Sequence, residues 1–454
     1  MFSDAPLRRV PGAEEAEKIV RRLRLSLVGL GSALAIFATG LTGCTAAKED
    51  LVSVPEDVAT ISEAVDRVAE GGLVLVGPGT YPEQVLIEKN DVTVRGRDRN
   101  TVVIDGEGMR PYGVVAVADG VSVENLTVTQ ATLYGVLVTG LHDESGPIAR
   151  GARGYTTLDV EDFPPVQRFA IDHVTAYNNG LYGLYAFNAQ HGTITDSYAS
   201  GSADSGIYVG QCEKCDILVA GNISEANAVG FENANASDSV TVAGNRFTMN
   251  RIGVTLISSY QEALAPQRRN TVIGNLISNN ANPDSPSQAE GIYGVGVGVS
   301  GGRENLFKWN RISQNPVAGV VLDNTEDFAP LDNRFTENVF DANGVNAAIV
   351  AADRAPASGN CFDTPPASVL PDGAFNECEG DPGFGSRQEA VRYAALPAIE
   401  VPDGISFLQV PPPPAQPTMK DPMRAARKLP ARVPHPPLEQ FTTPGQSFLQ
   451  EWSR

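Results

Sequence analysis

Two carboxylates one repeat apart, Asp204 and Glu232, are the side chains with the clearest reason to do acid–base work in this sequence. Paired carboxylates can hold a neutral sugar, or divide the general acid and base roles at a glycosidic bond. No Arg or Lys is evident beside them. Tyr185, Tyr208 and Glu232 each stand two residues after a recurring glycine. Stacked on one outward face, they form an expected carbohydrate-binding strip of two rings and a carboxylate, against the plainer reading of tyrosines packed on a β surface. Asp323, Asp327 and Asp332 form a second acidic cluster, either a calcium site or a solvated loop. Apart from Ca2+, no cofactor is expected. The histidines are His142, His173, His191 and His435, and two of them fall at turn positions, which disfavours a histidine-based site. Gly296-Val-Gly-Val-Ser-Gly301 matches a dinucleotide fingerprint by letter, but Arg303 to Phe307 returns to a strand pattern where that site needs a helix.

The elements that carry these residues are read from a repeat. Gly183, Gly206, Gly230 and Gly253 are spaced 23, 24 and 23 apart, and Gly296 to Gly319 is again 23. Asparagines five apart run in step: Asn222/Asn227, Asn245/Asn250, Asn275/Asn280, Asn310/Asn315 and Asn338/Asn343, with His173/Asn178 and Asp196/Gly201 assigned to the same positions earlier. Between the markers lie runs of three to five residues with period-two alternation, such as Val240-Thr-Val242. One repeat therefore holds about three short strands and three turns, with no room for a helix. Stacking such units gives an all-β, right-handed parallel β-helix of about ten coils and three sheets. Asparagine at a turn tolerates left-handed backbone and can bond to its counterpart one coil away. A leucine-rich repeat fits Val240 to Phe247, but the second half of each unit is another glycine-led strand. Alternation puts Leu184, Ile207, Val209, Val254, Leu256 and Leu322 inside, and Leu137, Tyr185, Tyr208, Glu232, Thr255 and Val321 outside.

Residues 55–71 carry Val58, Ile61, Val65 and Val68 at helical spacing and predict a capping helix over the first coil. After it come Gly72-Leu-Val-Leu-Val-Gly-Pro-Gly-Thr-Tyr81, Val92-Thr-Val94 and Val103-Ile-Asp-Gly106. This opening resembles bacterial right-handed parallel β-helix proteins of the pectin methylesterase, pectate-lyase-like and periplasmic copper-associated groups. The run from Tyr182 to Asn250 is similar to exported parallel β-helix domain proteins without an assigned activity. The resemblance spans about residues 53 to 360 and implies the fold. For enzymes on this scaffold it also implies calcium-binding acids beside an Arg or Lys base, paired aspartates with an Arg, or close aspartates in hydrolases. None of these motifs is recognisable in the chain. Two polar insertions, 141–168 and 280–290, are candidate groove walls.

Location is read at the N-terminus. Arg21, Arg22 and Arg24 precede 19 uncharged residues, Leu25 to Gly43, and Leu41-Thr-Gly-Cys44 resembles a bacterial lipobox with Cys44 as the lipidated residue. A membrane-spanning anchor is the alternative. The four remaining cysteines suit an oxidising compartment. Cys212-Glu-Lys-Cys215 could be a redox or zinc pair, but zinc needs further ligands. Local disulfides, Cys212 with Cys215 and Cys361 with Cys378, are therefore expected.

Composition narrows the partners. The net charge is −20 over 454 residues. Removing 1–43 takes away six basic and four acidic residues, which leaves 28 against 50, or −22. Without a basic stripe, nucleic acid is excluded as a partner. From Gly385 onward fall 13 of the 32 prolines, with Lys420, Arg424, Arg427, Lys428 and Arg432 making the segment locally basic. The expected organisation is a lipoprotein signal over 1–43, a linker over 44–52, the β-helix over 53–380, and a Pro-rich tail or strap over 381–454. The functional expectation is a monomer, lipid-anchored outside the cytoplasm, that binds an environmental or cell-envelope polysaccharide or serves as an elongated scaffold. The alternative is a polysaccharide lyase, epimerase or esterase with an acidic groove.

Overall fold

The computed structural model describes residues 48–144, 146–148, 158–287, 292–378 and 389–454. The expected signal segment and Cys44 lie outside the described residues, as do parts of both polar insertions. Among the described residues no helix is long and apolar enough to cross a membrane.

Short alternating runs form strands, and each turn of the chain lays down one strand in each of three parallel sheets. In one coil Ile217–Ala220 joins sheet 1, Ile223–Glu225 joins sheet 3 and Val229–Ala236 joins sheet 2. Each pairs in parallel with its counterpart one coil on: Val240–Ala243, Arg246–Thr248 and Ile252–Ile257. The three sheets hold 13, 11 and 10 strands among the described residues. The protein is a parallel β-helix. Leu184, Ile207, Val209, Val254, Leu256 and Leu322 fill its interior, fully shielded from water, and Phe307, Phe335 and Phe362 continue that core as a stack.

Asparagine ladders hold the turns. Nδ2 of Asn222 donates to Oδ1 of Asn245, which repeats through Asn275, Asn310 and Asn338 at 2.9 Å each. A second ladder runs Asn227, Asn250, Asn280, Asn315, Asn343. The left-handed residue is not the ladder asparagine, as expected, but the one before it: Gly221, Gly244, Gly274, Trp309 and Glu337 on the first ladder. The side chain of the asparagine must point along the stack to reach the next coil, so the reversal falls one position earlier. His173, Asn178, Asp196 and Gly201 have positive φ themselves and are therefore the preceding residues, one step off their assigned register. The repeated glycines answer a different need. A Cβ on Gly230 or Gly253 would sit 2.5 or 2.6 Å from the carbonyl oxygen of the glycine one coil on.

The N-terminal helix is shorter than its sequence pattern. Helix α1 covers Ile61–Arg67, capped by Thr60, whose hydroxyl accepts from the Glu63 amide. Val68, expected in the helix, instead opens the strand Val68–Val76, and a further strand, Glu49–Val54, pairs with it at the edge of sheet 1. The strand pairing satisfies a row of backbone groups that a longer helix would leave open.

The C-terminal segment is packed on the coils in three passes. The first runs back from Val391, whose amide donates to Ile349, past Val410 at Asn178, to Pro417 at Arg99 and Pro422 at Arg95. The second returns from Lys428 at Asp91, through His435 at Asp216, to Thr443 at Glu337. The third brings Pro444 to Arg311, Phe448 to Arg246 and Arg454 to Glu225. Of the five basic tail residues, Arg424 and Lys428 reach acidic partners, at 3.8 and 3.5 Å. Other charged contacts run the opposite way, from the body residues Arg95, Arg99, Arg246, Arg251 and Arg311 to tail carbonyls. A proline keeps its acceptor while losing its donor, so a Pro-rich strand is suited to a surface that donates.

Candidate functional site

The outward faces of sheet 2 carry the residues singled out by spacing. The register runs Leu137, Tyr185, Tyr208, Glu232, Thr255, Gly298, Val321, Ala348, one residue per coil. The expected column is therefore present. It does not present its rings to solvent, because Tyr185 and Tyr208 are 3% and 1% exposed. They belong to a second apolar cluster outside the coil, with Tyr112, Tyr134, Tyr182 and Phe187. Tyr208 packs 4.6 Å from Tyr182 and edge-on to Tyr185 at 4.8 Å. Its ring lies over Gly210, where a Cβ would meet it at 2.2 Å. An open stacking strip at Tyr185 and Tyr208 is thus corrected: apolar rings on an outward face gain more from a second layer than from water.

The column opens at Glu232. Around it lies a cleft of about 470 Å3, a size suited to a small ligand, lined by Asp204, Glu232, Glu262, Asp323, Tyr182 and Tyr393 among others. Among the described residues, no lysine or arginine lines it. Asp204 and Glu232 are brought together by the hydroxyl of Ser205, which donates to Oε2 of Glu232 at 2.5 Å and lies 3.3 Å from Oδ1 of Asp204. Asp204 ends the turn that enters Ser205–Cys212, and Glu232 points outward from the next strand of the sheet.

Two further acids arrive from outside the repeat. Glu262 stands on the loop after Ile252–Ile257, which folds back over the sheet because Nδ2 of Asn235 donates to the Ser259 and Glu262 carbonyls. Its carboxylate accepts from the Tyr208 hydroxyl at 3.2 Å. Burial, with the charge of Glu262 beside it, pushes the Tyr208 phenol well above its usual range. Asp323 accepts from the Tyr393 hydroxyl at 2.5 Å. Burial holds the Asp323 carboxyl above the ordinary carboxylate value, although that bond works in the opposite direction. Burial and the charge of Asp323 likewise raise Tyr393. Glu262 and Tyr393 were not singled out by spacing. The usable signal for Glu262 was the 30-residue step from Asn250 to Asn280 where the repeat allows 23.

The expected calcium cluster is not assembled. Asp323 lines the cleft, Asp327 is exposed in the following loop, and Asp332 is the left-handed residue before Asn333. Both expected cysteine pairs, Cys212–Cys215 and Cys361–Cys378, are disulfide-bonded.

Three comparisons place the chain among known proteins. Residues 71–293 match the profile of the family described as periplasmic copper-binding protein (NosD). No curated protein sequence matches. Among solved structures, the mannuronan C-5 epimerase A-module of Azotobacter vinelandii is 16% identical, with 69% of this chain and 91% of that one covered and a TM-score of 0.44. The DFA-IIIase of Arthrobacter chlorophenolicus A6 without its lid is 12% identical, covering 74% and 100%, with a TM-score of 0.46. A pectate lyase is 17% identical, covering 68% and 71%, with a TM-score of 0.36.

The family description names copper, and the described residues do not fit it. Four cysteines are oxidised to disulfides and offer no thiolate. Among the described residues, one group of three ligating side chains converges, Asp172, His173 and Asp196. It offers a single imidazole, whose Nδ1 is already 2.8 Å from Asp172. Copper is favoured by several imidazoles or by soft sulfur, and one nitrogen with two carboxylates is a poor donor set for it.

Proposed function

We propose that the protein works outside the cytoplasm as a carbohydrate-binding β-helix protein, with a neutral glycan seated in the cleft of sheet 2. The observation that carries this reading is a cleft with four carboxyl groups, three tyrosines nearby and, among the described residues, no cationic lining residue. Carboxylates accept hydrogen bonds from sugar hydroxyls in pairs, while Ile252, Ile257 and Val295 offer apolar floor to the ring faces. A polyanionic chain would be repelled, since no positive side chain in the lining meets it. The word periplasmic in the matching family's description supports the location, together with the signal-like N-terminus. Attachment through a lipid on Cys44 belongs to the same proposal.

The geometry also supports chemistry at this site. Asp204 and Glu232 share one hydroxyl, and two carboxyl groups flanking a glycosidic oxygen are the minimum for its hydrolysis. Glu232 is the more buried of the two and is assigned the acid role; Asp204, nearer solvent, is assigned the carboxylate that stabilises charge or activates water. The test is binding of the full chain to a glycan array, followed by chromatography of the best-bound oligosaccharide after incubation. Retention of neutral glycans that is lost in Glu232→Gln supports the reading. Equal retention by that variant, or retention of acidic glycans alone, overturns it. New reducing ends that disappear in Glu232→Gln extend it to catalysis.

A further inference from the structure

The C-terminal segment and the Glu262 loop bound the cleft at opposite ends, and this limits what can occupy it. We infer that the cleft accepts the terminus of a glycan chain, or an oligosaccharide of two or three sugars, and excludes the interior of a polymer; the inference rests on the carbohydrate reading above.

At one end the outward column is closed at Tyr208. Its ring is packed against Tyr182 and Tyr185, and its hydroxyl is engaged by Glu262 from the folded-back loop. At the other end it is closed at Ala348, which is 0% exposed and covered by the segment beginning at Val391. There the Val391 amide donates to Ile349 at 2.8 Å, and Leu396 joins the apolar cluster that holds Ala318 and Ala348. Tyr393 stands between these two anchors at this end of the cleft and donates its hydroxyl to Asp323.

The positions of the column that line the cleft are Glu232, Thr255, Gly298 and Val321. Three strand steps separate the first from the last, about 14 Å at ~4.8 Å per step. A groove for a running polysaccharide must continue past both ends of such a stretch, and this one meets packed side chains at each. Tyr393 is the exposed element of the barrier. It is 52% exposed, whereas the residues on either side of the cleft floor belong to packed sheets. Its hydroxyl donates to Asp323, so one face of the ring and the Asp323 carboxylate are presented together to whatever occupies the last position. We assign Tyr393 as the residue that sets chain-length specificity.

The experiment uses the full chain and a panel of neutral gluco-, xylo- and fructo-oligosaccharides from disaccharide to octasaccharide, with their parent polymers, measured by titration calorimetry. Affinity is expected to stop rising at the trisaccharide, and polymer binding to scale with the number of chain ends. Tyr393→Ala removes the barrier and extends the rise to longer chains, by about tenfold at the octasaccharide. Tyr393→Phe retains the barrier and the short limit. Gly298→Trp fills the floor of the cleft, where a Cβ meets nothing nearer than Thr255 Cγ2 at 3.8 Å, and abolishes binding with the melting temperature preserved. Wild-type affinity that climbs through the octasaccharide, or polymer binding independent of end number, overturns the chain-end inference and leaves the carbohydrate reading standing. Failure of the whole panel to bind overturns both.

Discussion

The Ser205 hydroxyl donates to Glu232 at 2.5 Å across neighbouring strands of sheet 2, and both side chains are almost wholly buried. The same hydroxyl lies 3.3 Å from Oδ1 of Asp204, so it touches both carboxyl groups of the proposed pair. Ser205→Ala removes a donor to the buried Glu232 carboxyl and leaves the fold otherwise unaltered. The expected loss is about 1–3 kcal/mol of stability, with weaker glycan binding, measured by thermal melting and calorimetry. Unchanged binding in that variant would show that the pair is positioned by other contacts.

Asp323 gives a prediction with a defined sign. Its carboxyl is held above the ordinary value by burial, so the folded state favours the protonated form. Its ionisation therefore costs stability as pH rises through the unfolded value toward the raised folded one. Asp323→Asn should leave the melting temperature at pH 7 equal or about 1 °C higher, with the difference vanishing below about pH 4. The same variant should bind glycan less well, since Tyr393 loses its anionic partner. A drop in melting temperature at neutral pH contradicts the assignment.

Asp216 acts in the opposite sense. Burial pushes its carboxyl up, but the His191 side chain, the Val433 amide and the His435 side chain together hold it below the usual range. The stability it lends to the second pass of the tail is complete above the unfolded value of about 3.9 and is lost as pH falls through the lower folded value. His435→Ala should weaken this attachment by about 1–2 kcal/mol. Hydrogen exchange over 428–443 should then be faster than in the wild type, and exchange over 391–410 unchanged.

Asn275 sits in the middle of a ladder and bonds on both sides. Its Oδ1 accepts from Asn245, and its Nδ2 donates to Asn310 and to the Val242 carbonyl. Asn275→Ala leaves buried groups without partners in two coils at once. A loss of about 3 kcal/mol or more is expected in denaturant titration, larger than for exposed polar positions. A cost below about 1 kcal/mol would mean that the ladder is replaceable by water.

The coil architecture was legible because its two markers answer backbone constraints. The glycines stand where a Cβ would strike the next coil, and the asparagines stand where a turn needs a side-chain partner above and below. The alternation also placed Glu232 and Asp204 on adjacent coils. It could not tell outward from exposed. Tyr185 and Tyr208 face away from the helix interior yet are buried, in a second cluster with Tyr112, Tyr134, Tyr182 and Phe187, and Glu262 on a loop without period reaches the Tyr208 hydroxyl. Tyr393 lies still further from any repeat, on a segment whose composition marks it as non-coil but does not say where it docks. Glu262 and Tyr393 therefore reach the cleft wall from parts of the chain that carry no periodic signal.

The three passes of the tail have a consequence for how the molecule comes apart. In a bare stack each coil touches only its two neighbours, so unfolding can begin at one end and travel like an unravelling thread. Here the same terminal segment touches Arg95 and Ile349, and returns to Glu337 and Glu225, so distant coils share a partner. Loosening either end loosens contacts at the other. A nearly one-dimensional object thereby acquires long-range cooperativity, and its melting should be sharper than nearest-neighbour coupling alone would allow.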